Sequence, residues 1–239
     1  MQRLILTLDT PEQNLALDEA LLDLAEQGGL PGGLLRLWES AQRVVVLGRS
    51  SRFGREVDRE ACHQQGVRVL RRSSGGASIV AGPGCLMYSV VVDYAAEPHL
   101  RAIDQAHSFV LDRHVQALRW HLPDVARKGT SDLTVGERKF SGNSLRAKRR
   151  ALLYHGTLLY DFPLAQIPRF LKLPPRQPDY RRDRQHIDFV MNVPLDRCQL
   201  QETLIEAWHA DEDLLTWPRD AIDALVRCRY GCQAWTEEF

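Results

Sequence analysis

A lysine inside a short polar strand is the residue whose type and position most clearly suggest chemistry. Lys139 lies in the run Arg-Lys-Phe-Ser-Gly at 138–142. Strand alternation predicts that Lys139 and Ser141 share one face while Phe140 enters the core. A lysine on the open face of a sheet either stays in solvent or meets an anion, for which its ammonium is a compact point charge. The residue by itself leaves both interpretations open.

A glycine-rich stretch is the second candidate. Residues 66–92 predict a strand, a loop with four glycines and a proline, and a second strand, with Arg71 and Arg72 at the loop entrance. A loop with so few side chains lets a ligand lie against the backbone, whose N–H groups can bind a phosphate or a carboxylate. The alternative is an ordinary long hairpin loop.

The histidines give a weaker signal. His155 lies in the apolar, strand-like run 151–160, where a lone histidine is more often structural than catalytic. His107, His114 and His121 repeat every seven residues along a predicted helix. Successive members then lie roughly 10 Å apart, too far to bind one metal ion. We expect these three histidines to follow a partly solvated helix edge.

The cysteines indicate reduced thiols. An odd and scattered set of five, Cys62, Cys85, Cys198, Cys228 and Cys232, does not suggest a disulfide framework. The last two are four residues apart, but no second pair completes a zinc site, so we predict no metal.

The composition is that of a globular protein with a substantial core. Hydrophobic residues make up 44% of the 239 residues, and 31 basic side chains balance 31 acidic ones. The balance gives no global field that would attract nucleic acid or an anionic membrane. There is no run of the roughly 20 apolar residues that a membrane span needs, and no signal peptide pattern, so we expect a cytoplasmic protein.

The elements that would position the candidate residues mix strands and helices. A strand at 3–8 precedes a helix that Thr10 caps, with Pro11 in its first turn and Gln13 bonded back to Thr10. We predict further strands at 34–38, 44–47, 133–135, 138–142 and 151–160, and helices at 57–65, 98–122, 195–209 and 218–229. This order predicts an α+β fold, with 1–239 as a single domain.

Two arginine-rich segments show no regular pattern. Residues 174–184 are too polar and proline-rich for a helix or strand and predict a surface loop. The second segment, Arg146–Arg150, is predicted to form a basic turn. Each segment either stays solvated or steers an acidic protein partner toward the site.

Taken together, the motifs resemble the biotin/lipoate ligase and transferase superfamily, most closely the catalytic domain of the lipoate–protein ligases. They fall in the family's order along nearly the whole chain, and jointly they are specific. The matching segments are Leu15-Ala-Leu-Asp-Glu19, Arg71-Arg-Ser-Ser-Gly-Gly-Ala-Ser-Ile79, Ser131-Asp-Leu133, Lys139-Phe-Ser-Gly-Asn-Ser144 and Tyr154-His-Gly-Thr-Leu-Leu159.

The resemblance implies a mixed, mainly antiparallel sheet with flanking helices, related to class II tRNA-synthetase cores. Members of the family activate lipoate or octanoate with ATP, as its Mg²⁺ complex, to an acyl-adenylate. They then pass the acyl group to a lysine of a lipoyl carrier domain. Expected carriers are the acyltransferase subunits of 2-oxoacid dehydrogenases and the glycine cleavage H protein.

The resemblance also implies roles for individual residues. Lys139 is the expected catalytic residue, binding the acyl carbonyl and the adenylate phosphate. The residues expected at the acyl group are Arg72, Ser74, Gly75, Gly76, His155 and Gly156. Those expected at the adenylate are Ala77, Ser78, Ile79, Gly84, Cys85, Asp132 and Ser144.

Some positions depart from the family pattern. The third glycine is Ala77, the usual His-Asp after the loop is Ala81-Gly82, the following asparagine is Cys85, and Tyr154 replaces a histidine. The lost polar contacts predict slow activation, use of a preformed donor, or loss of activation. The family's C-terminal accessory domain is also missing from 1–239, so a separate accessory chain is an expectation.

Three alternatives to the ligase remain. The first is an octanoyl or lipoyl transferase of the same fold, which uses a cysteine nucleophile and no ATP. Cys85 is the only thiol near the predicted site, although a cysteine at such a position is more often a packing residue. The second is a non-catalytic binding protein on a ligase-like core. The third is a biotin ligase. The segment Gly48–Arg55 superficially resembles the glycine–arginine loop of biotin ligases, although the Lys139 and His155 motifs favour lipoate.

Overall fold

The structure is a computed structural model that describes residues 1–238. Its strands are β1 (Gln2–Ile5), β2 (Leu34–Trp38), β3 (Val44–Leu47), β4 (Arg68–Arg71), β5 (Ile79–Ala81), β6 (Cys85–Asp93), β7 (Val125–Lys128), β8 (Asp132–Val135), β9 (Arg138–Ala147), β10 (Ala151–Leu159) and β11 (Glu212–Asp213). Its α-helices are α1 (Pro11–Glu26), α2 (Phe53–Glu56), α3 (Arg59–Gln64), α4 (Ile103–Leu118), α5 (Ile167–Phe170), α6 (His186–Phe189), α7 (Arg197–Trp208), α8 (Arg219–Leu225) and α9 (Gln233–Thr236).

The strands form two sheets. The large sheet has eight strands in the order β11-β1-β2-β6-β10-β9-β8-β7. In this order, each strand from β2 onward pairs antiparallel with the next one. The small sheet has the order β4-β3-β5. This arrangement confirms the predicted α+β fold with a mainly antiparallel sheet.

Two apolar cores lie on opposite sides of the large sheet. The central strand β6 is buried from Cys85 to Val92, and its alternate residues enter different cores. Met87 packs in the core with α1 and the small sheet, while Tyr88 packs in the core with α4 and α7. A strand buried on both faces reads as a continuous apolar run, which is why its sequence lacks polar alternation.

The first helix begins as its sequence predicts. Thr10 Oγ1 accepts from the Gln13 backbone N–H at 3.3 Å, and Gln13 Oε1 accepts from the Thr10 backbone N–H at 3.1 Å. This capping box satisfies two of the amide groups that a helix start leaves unbonded, and Pro11 supplies no such group. The cap fixes α1 where its buried side carries Asp18 against the sheet.

The glycine-rich stretch is not a hairpin, so the alternative interpretation is wrong. Its first strand, β4, pairs with β3 in the small sheet, whereas its second strand, β6, lies in the large sheet between β2 and β10. Residues 79–81, predicted to be loop, form β5 antiparallel to β3. The segment with Gly75 and Gly76 therefore joins β4 to β5 within the small sheet, and the segment with Gly82 and Gly84 leads from β5 to β6 in the large sheet.

The predicted helix 98–122 is shorter than expected. A 3₁₀ turn covers Pro98–Arg101, Ala102 is extended at φ −83° and ψ 124°, and α4 starts only at Ile103. The α-helix ends at Leu118.

The expectation of a partly solvated histidine edge on α4 is wrong for two of its three members. His107 and His114 are buried, and only His121 is exposed. His107 Nδ1 lies 2.8 Å from the Tyr154 hydroxyl, and His114 Nε2 accepts from the Trp208 indole N–H at 2.9 Å. Each buried ring has a polar partner on a neighbouring element, which offsets part of the cost of its burial, although His114 Nδ1 has no partner within residues 1–238.

The strands predicted at 133–135, 138–142 and 151–160 are confirmed and pair in sequence as antiparallel neighbours, with one irregularity that matters for the site. The pairing of β8 with β9 shifts register between Leu133 and Thr134, so that Leu133 faces Ser141 and Thr134 faces Lys139. Phe140 is the extra residue of this bulge and is fully buried, as predicted. Ser141 is buried as well, because the bulge interrupts the strict alternation that had put it on the open face.

The two arginine-rich segments make more contacts than the sequence suggested. In 174–184, a 3₁₀ turn at Asp179–Arg181 buries Arg181 to 4% exposure, so the prediction of a plain surface loop is wrong there. In the basic turn, Lys148 pairs with Asp23 of α1, and the Arg150 backbone N–H donates to Glu26 at 2.8 Å. No helix within residues 1–238 combines the length and apolar character needed to cross a membrane.

His114 should make stability depend on pH. Burial lowers the pKa of His114 to about 3, so the ring stays neutral in the folded protein, whereas it takes up a proton near pH 6.5 when unfolded. The unfolded state therefore binds more protons below that pH. The free energy of unfolding should fall as pH drops from 6.5 toward 5, by up to about 1.4 kcal/mol per pH unit for this group.

Urea unfolding at pH 7.5, 6.5 and 5.5 measures this effect. His114→Gln keeps an acceptor for Trp208 but does not titrate, so it should flatten the slope. An unchanged slope in this variant would contradict the assignment.

Candidate active site

Two adjoining cavities lie between the sheets and the 174–178 segment. The main cavity has a volume of about 340 Å³ and the smaller, more enclosed one about 110 Å³. Four residues line both cavities: Ile79, Lys139, Gly142 and Thr157. Lys139 therefore lies where the two spaces meet.

The Lys139 ammonium is held by a short ion pair. Its Nζ lies 2.6 Å from Asp132 Oδ1, and Asp132 Oδ2 accepts from the Tyr180 hydroxyl at 2.7 Å. The lysine side chain keeps 27% exposure, so it is open to a ligand. Burial and Asp132 raise the pKa of Tyr180, which keeps its hydroxyl a donor to the carboxylate.

Gly142 provides the space that Lys139 occupies. A Cβ at this position would lie 2.7 Å from Lys139 Nζ and 2.9 Å from Cε, closer than any ordinary contact. A side chain here would displace the ammonium from its present position.

Asn143 braces the same strand. Its Nδ2 donates to the Ser131 carbonyl at 2.7 Å, and its Oδ1 accepts from the Tyr88 hydroxyl at 2.6 Å. A Cβ at Gly156 would lie only 1.7 Å from Asn143 Oδ1. Gly156 is therefore required for the close approach of β10 to this side chain.

Arg72 organises the glycine loop from inside. Its guanidinium donates to the carbonyls of Gly75 at 2.5 Å and Ala77 at 3.0 Å, and to Ser74 Oγ at 3.1 Å. Burial lowers its pKa to about 10, so it remains charged at neutral pH. Within residues 1–238 Arg72 forms no ion pair, although the Glu56 carboxylate attracts its charge from a longer distance; because Arg72 lines the main cavity, it offers a positive charge to an anionic ligand there.

Arg71, its neighbour, faces away from the cavities. It is fully buried and donates to the carbonyls of Gly48 and Ser51 at 2.8 Å each and of Thr236 at 2.7 Å. The loop after β3 and the C-terminal segment are thereby tied to the strand that leads into the glycine loop. A Cβ at Gly48 would lie 1.8 Å from the Gly76 carbonyl, so these two loops are in direct backbone contact.

Glu56 fixes the far end of the glycine loop. Its Oε2 accepts from the Ser78 backbone N–H at 3.0 Å, the Ser78 hydroxyl at 2.7 Å and the Ser51 hydroxyl at 3.0 Å. The residue is buried, and its Oε2 ties the loop after β3 to the glycine loop.

A buried polar chain connects the loop to α1. Arg72 donates to Ser74 Oγ at 3.1 Å, and Ser74 Oγ lies 2.5 Å from His155 Nε2. On the other side of the ring, His155 Nδ1 lies 3.4 Å from Asp18 Oδ2. The order serine–histidine–aspartate resembles a hydrolase triad, but Ser74 is fully buried and lines neither cavity, so it is a positioning group rather than a nucleophile.

The structure brings together most of the predicted site residues. Those that line one or both cavities are Arg72, Gly76, Ala77, Ser78, Ile79, Asp132, Lys139, Ser144, His155 and Gly156. Ser74 and Gly75 lie just behind this wall; the Gly75 carbonyl accepts from Ser144 Oγ at 2.9 Å.

Gly84 and Cys85 are not among the lining residues. The Gly84 backbone N–H donates to Glu39 at 3.0 Å, and Cys85 is fully buried in the core. The Cys85 thiol lies 4.0 Å from the Met87 sulfur, and burial raises the pKa of this thiol far above its usual range. The sequence placed both residues near the loop, but β6 begins at Cys85 and turns it inward.

Several residues that build the site were not predicted. Tyr180, Glu56, Val46 and Met87 carry no local motif that marks them, because they reach the site through the tertiary fold. Leu15, Asp18 and Asn143 do lie inside segments that match the family, so the pattern could have singled them out. No group of three or more His, Cys, Asp or Glu residues in 1–238 is placed to hold a metal ion.

Comparisons with known proteins agree on the family. Residues 10–206 match the model of the lipoyl protein ligase A/B catalytic domain. A putative lipoate-protein ligase A from Aeropyrum pernix is 30% identical over 84% of this chain and 72% of its own length. A probable lipoate-protein ligase A from Mycoplasma genitalium is 29% identical over 72% of this chain and 50% of its own length. The chain thus spans about half of the latter protein.

Octanoyltransferases are also among the relatives. The octanoyltransferase LipM of Lysinibacillus sphaericus is 23% identical over 64% of this chain and 63% of its own length. The relatives therefore include both ligases and transferases.

Solved structures share the fold. A lipoate-protein ligase A bound with ATP superposes with a TM-score of 0.83 at 21% identity, covering 99% of this chain and 98% of the other. One chain of a bi-partite lipoate protein ligase system from Thermoplasma acidophilum gives 0.80 at 22% identity, covering 99% and 95%. With the match over residues 10–206, this chain belongs to the lipoyl protein ligase A/B catalytic domain family of enzymes.

Proposed function

We propose that this chain is an ATP-dependent lipoate or octanoate ligase that acylates a lysine of a lipoyl carrier domain. The observation that carries the proposal is the position of Lys139 at the junction of two cavities, where it can contact an acyl group and a nucleotide phosphate at once. Solved relatives support the ligands: one has ATP bound and another, from Thermoplasma acidophilum, has lipoic acid bound.

The main cavity suits the acyl chain. Leu15, Val46 and Met87 give it an apolar wall, and Arg72 provides a positive charge for a carboxylate. Its volume of about 340 Å³ is in the range of small-molecule sites. His155 and Gly156 also line this cavity, and the family resemblance implies that they lie at the acyl group.

The smaller cavity suits the adenine ring of ATP. Its wall is largely apolar, with Val80, Phe140 and Phe189 among its members, and it opens to the main cavity at Lys139. A base packed there would leave its α-phosphate at the junction. Mg²⁺ would enter as part of the ATP complex.

In the first step a carboxylate oxygen of the acid attacks the α-phosphorus of ATP. The bond from that phosphorus to the oxygen bridging to the β-phosphate breaks, and pyrophosphate leaves with the electron pair. Lys139 stabilises the negative charge that develops on the α-phosphate oxygens. Asp132 holds the ammonium in position at 2.6 Å before the substrates arrive.

In the second step the carrier lysine attacks the acyl carbonyl as a neutral amine. A C–N bond forms, the bond from the carbonyl carbon to the AMP oxygen breaks, and the nitrogen gives up a proton. Lys139 lies where it can stabilise the tetrahedral oxyanion. The Thermoplasma system, studied with its E2 lipoyl domain, supports a partner of this kind.

The cysteine-dependent transferase receives less support. Within residues 1–238 none of the five cysteines lines either cavity, and Cys85 faces the core instead. A transferase of this type needs an accessible thiolate, whereas burial raises the pKa of Cys85 and disfavours that form.

The departures from the family pattern fall mostly outside the cavities. Ala81, Cys85 and Tyr154 are fully buried packing residues, and Tyr154 bonds His107. Only Ala77 lines the main cavity. This placement supports an active enzyme over a non-catalytic ligase-like protein, and we propose that 1–239 acts as the catalytic domain, with or without a separate accessory chain.

Adenylate formation tests the function directly. The protein, incubated with octanoate or lipoate, ATP and Mg²⁺, should exchange radiolabelled pyrophosphate into ATP only when the acid is present. It should also acylate a purified lipoyl domain. If neither acid supports exchange and the protein transfers an octanoyl group from a donor protein without ATP, the transferase function would be correct and the ligase function would be rejected.

The position of Lys139 between the two cavities gives a second prediction. Lys139→Met should lower the rate of adenylate formation by about two to three orders of magnitude, the usual cost of losing one such charge-stabilising donor. Gly142→Ala should also lower kcat, because the added Cβ would lie 2.7 Å from the Lys139 ammonium and displace it. Gly54→Ala is the control, since nothing lies within 4 Å of a Cβ there. A fully active Gly142→Ala enzyme would show that the position of Lys139 is not critical.

Cys85 gives a third prediction. Cys85→Ser should leave kcat within about twofold of wild type and yield no acyl-enzyme by mass spectrometry, at a modest stability cost from a buried hydroxyl. Loss of turnover while the variant stays folded by circular dichroism would instead assign this thiol to the chemistry.

A further inference from the structure

A stretch of chain outside the family match contacts the entrance of the glycine loop. The match to the family model covers residues 10–206. Residues 229–238, which we call the 229–238 segment, form hydrogen bonds or ion pairs with α1, with the last residue of β4 and with the loop after β3. The entrance of the loop is therefore held by residues that the family model does not include.

Arg71 bonds to the 229–238 segment through both its backbone and its side chain. The Trp235 indole N–H donates to the Arg71 carbonyl at 2.8 Å. In return, the buried Arg71 guanidinium donates to the carbonyls of Trp235 at 3.0 Å and Thr236 at 2.7 Å. The Arg71 carbonyl belongs to the peptide bond that leads to Arg72, so the indole fixes the point from which the Arg72 side chain reaches the main cavity.

The ring of Trp235 is oriented by neighbouring charges. The guanidinium of Arg49 lies 4.4 Å from the ring centre and that of Arg229 lies 4.6 Å from it, both within the range of cation–π contacts. Arg49 also pairs with Glu238 at 2.8 Å. A rotation of the ring would lose these contacts together with the hydrogen bond, so they favour the orientation in which the indole N–H meets the Arg71 carbonyl.

A second link joins Tyr230 to α1. The Tyr230 hydroxyl donates to Glu19 Oε2 at 2.6 Å, Arg229 pairs with Glu19 Oε1, and both Tyr230 and Glu19 are buried. Burial and the Glu19 carboxylate raise the pKa of Tyr230 well above its usual value, so its hydroxyl remains a donor. Ser73, the residue after Arg72, lies close enough to influence the same hydroxyl.

The two ends of the glycine loop are held by different groups. At the far end, Glu56 accepts from the backbone and the hydroxyl of Ser78. At the near end, the 229–238 segment holds the peptide bond before Arg72. A change in this segment should therefore displace Arg72 more than the residues of the far end.

We propose that Trp235 is a positioning residue for the acid substrate. It holds the Arg71–Arg72 peptide bond so that the Arg72 guanidinium meets the substrate carboxylate, and Tyr230 supports the same entrance from α1; this rests on the proposed ligase function, in which Arg72 binds the acid. Loosening the segment should weaken binding of the acid and leave binding of ATP, which we place nearer the far end of the loop, almost unchanged.

The experiment uses single substitutions in the full chain. Trp235→Phe keeps an aromatic ring but removes the indole N–H, and Tyr230→Phe removes the buried hydroxyl. Trp120→Phe is the control for the first, because Trp120 is 91% exposed. Tyr160→Phe is the control for the second, because it removes a bond of the same kind, to Glu39 at 2.8 Å, from a residue that lines neither cavity.

Calorimetry measures Kd for octanoate, for lipoate and for ATP. Trp235→Phe should raise Kd for both acids roughly fivefold, the size expected when one hydrogen bond that holds a binding group is lost, and should leave Kd for ATP within about twofold of wild type. Tyr230→Phe should change Kd in the same direction by a smaller factor, because its link to Arg72 is less direct. Hydrogen–deuterium exchange of residues 72–76 should become faster in both variants and stay unchanged in both controls.

A double-mutant cycle with Arg72→Gln separates positioning from general packing. If Trp235 acts through Arg72, then Trp235→Phe should weaken acid binding no further in the Arg72→Gln protein, because the group that it positions is already gone. Equal losses in both backgrounds would overturn the inference.

Two further outcomes would also overturn it. These are unchanged acid binding in Trp235→Phe, and a loss of ATP binding as large as the loss of acid binding. The proposed function fails separately: wild-type protein that binds the acids but forms no adenylate would reject the ligase, while the binding and exchange measurements would still decide the role of Trp235.

Discussion

A buried ion pair between α1 and the centre of the large sheet determines how the site is held. Arg36 of β2 has no exposure and donates to Asp18 at 2.5 Å, to the Asn14 carbonyl at 2.8 Å and to Asn14 Oδ1 at 2.7 Å. Burial alone would raise the pKa of Asp18, but Arg36 and His155 bring it below its usual value, so the carboxylate stays charged. Two buried charges are tolerated only when they are paired and hydrogen-bonded in this way. Through His155 and Ser74, the same pair orients the glycine loop.

Glycines act in this site mainly as points of close approach. At Gly48, Gly142 and Gly156 the neighbouring atom leaves no room for a Cβ, and the neighbours are, in turn, another loop's backbone, the Lys139 ammonium and the Asn143 amide. The close approaches are therefore of different kinds: between two loop backbones at Gly48, within strand β9 at Gly142, and between strands β10 and β9 at Gly156. A local motif records the glycine but not the group that approaches it.

The sequence predicted the parts of the site that are continuous in the chain. The capping box of α1, the strands at 133–135 and 138–142 and the place of Lys139 in the second of them followed from local patterns, since caps and strand alternation depend on near neighbours. What failed depends on distant contacts. His107 and His114 are buried because Tyr154 and Trp208 supply partners from other elements. In the same way, the glycine stretch could not show that its two strands belong to different sheets.

The connectivity of the central strands also bears on how the protein folds. The contacts that define the site join residues far apart in sequence, 137 positions for Asp18 with His155 and 81 for Ser74 with His155. Chains with such long-range pairing fold slowly, because the intervening loops must close before the contacts form. No short fragment can contain the site, and a nascent chain cannot assemble it before β10 has been synthesised. Substrate-binding competence should therefore appear only with the late, cooperative phase of folding.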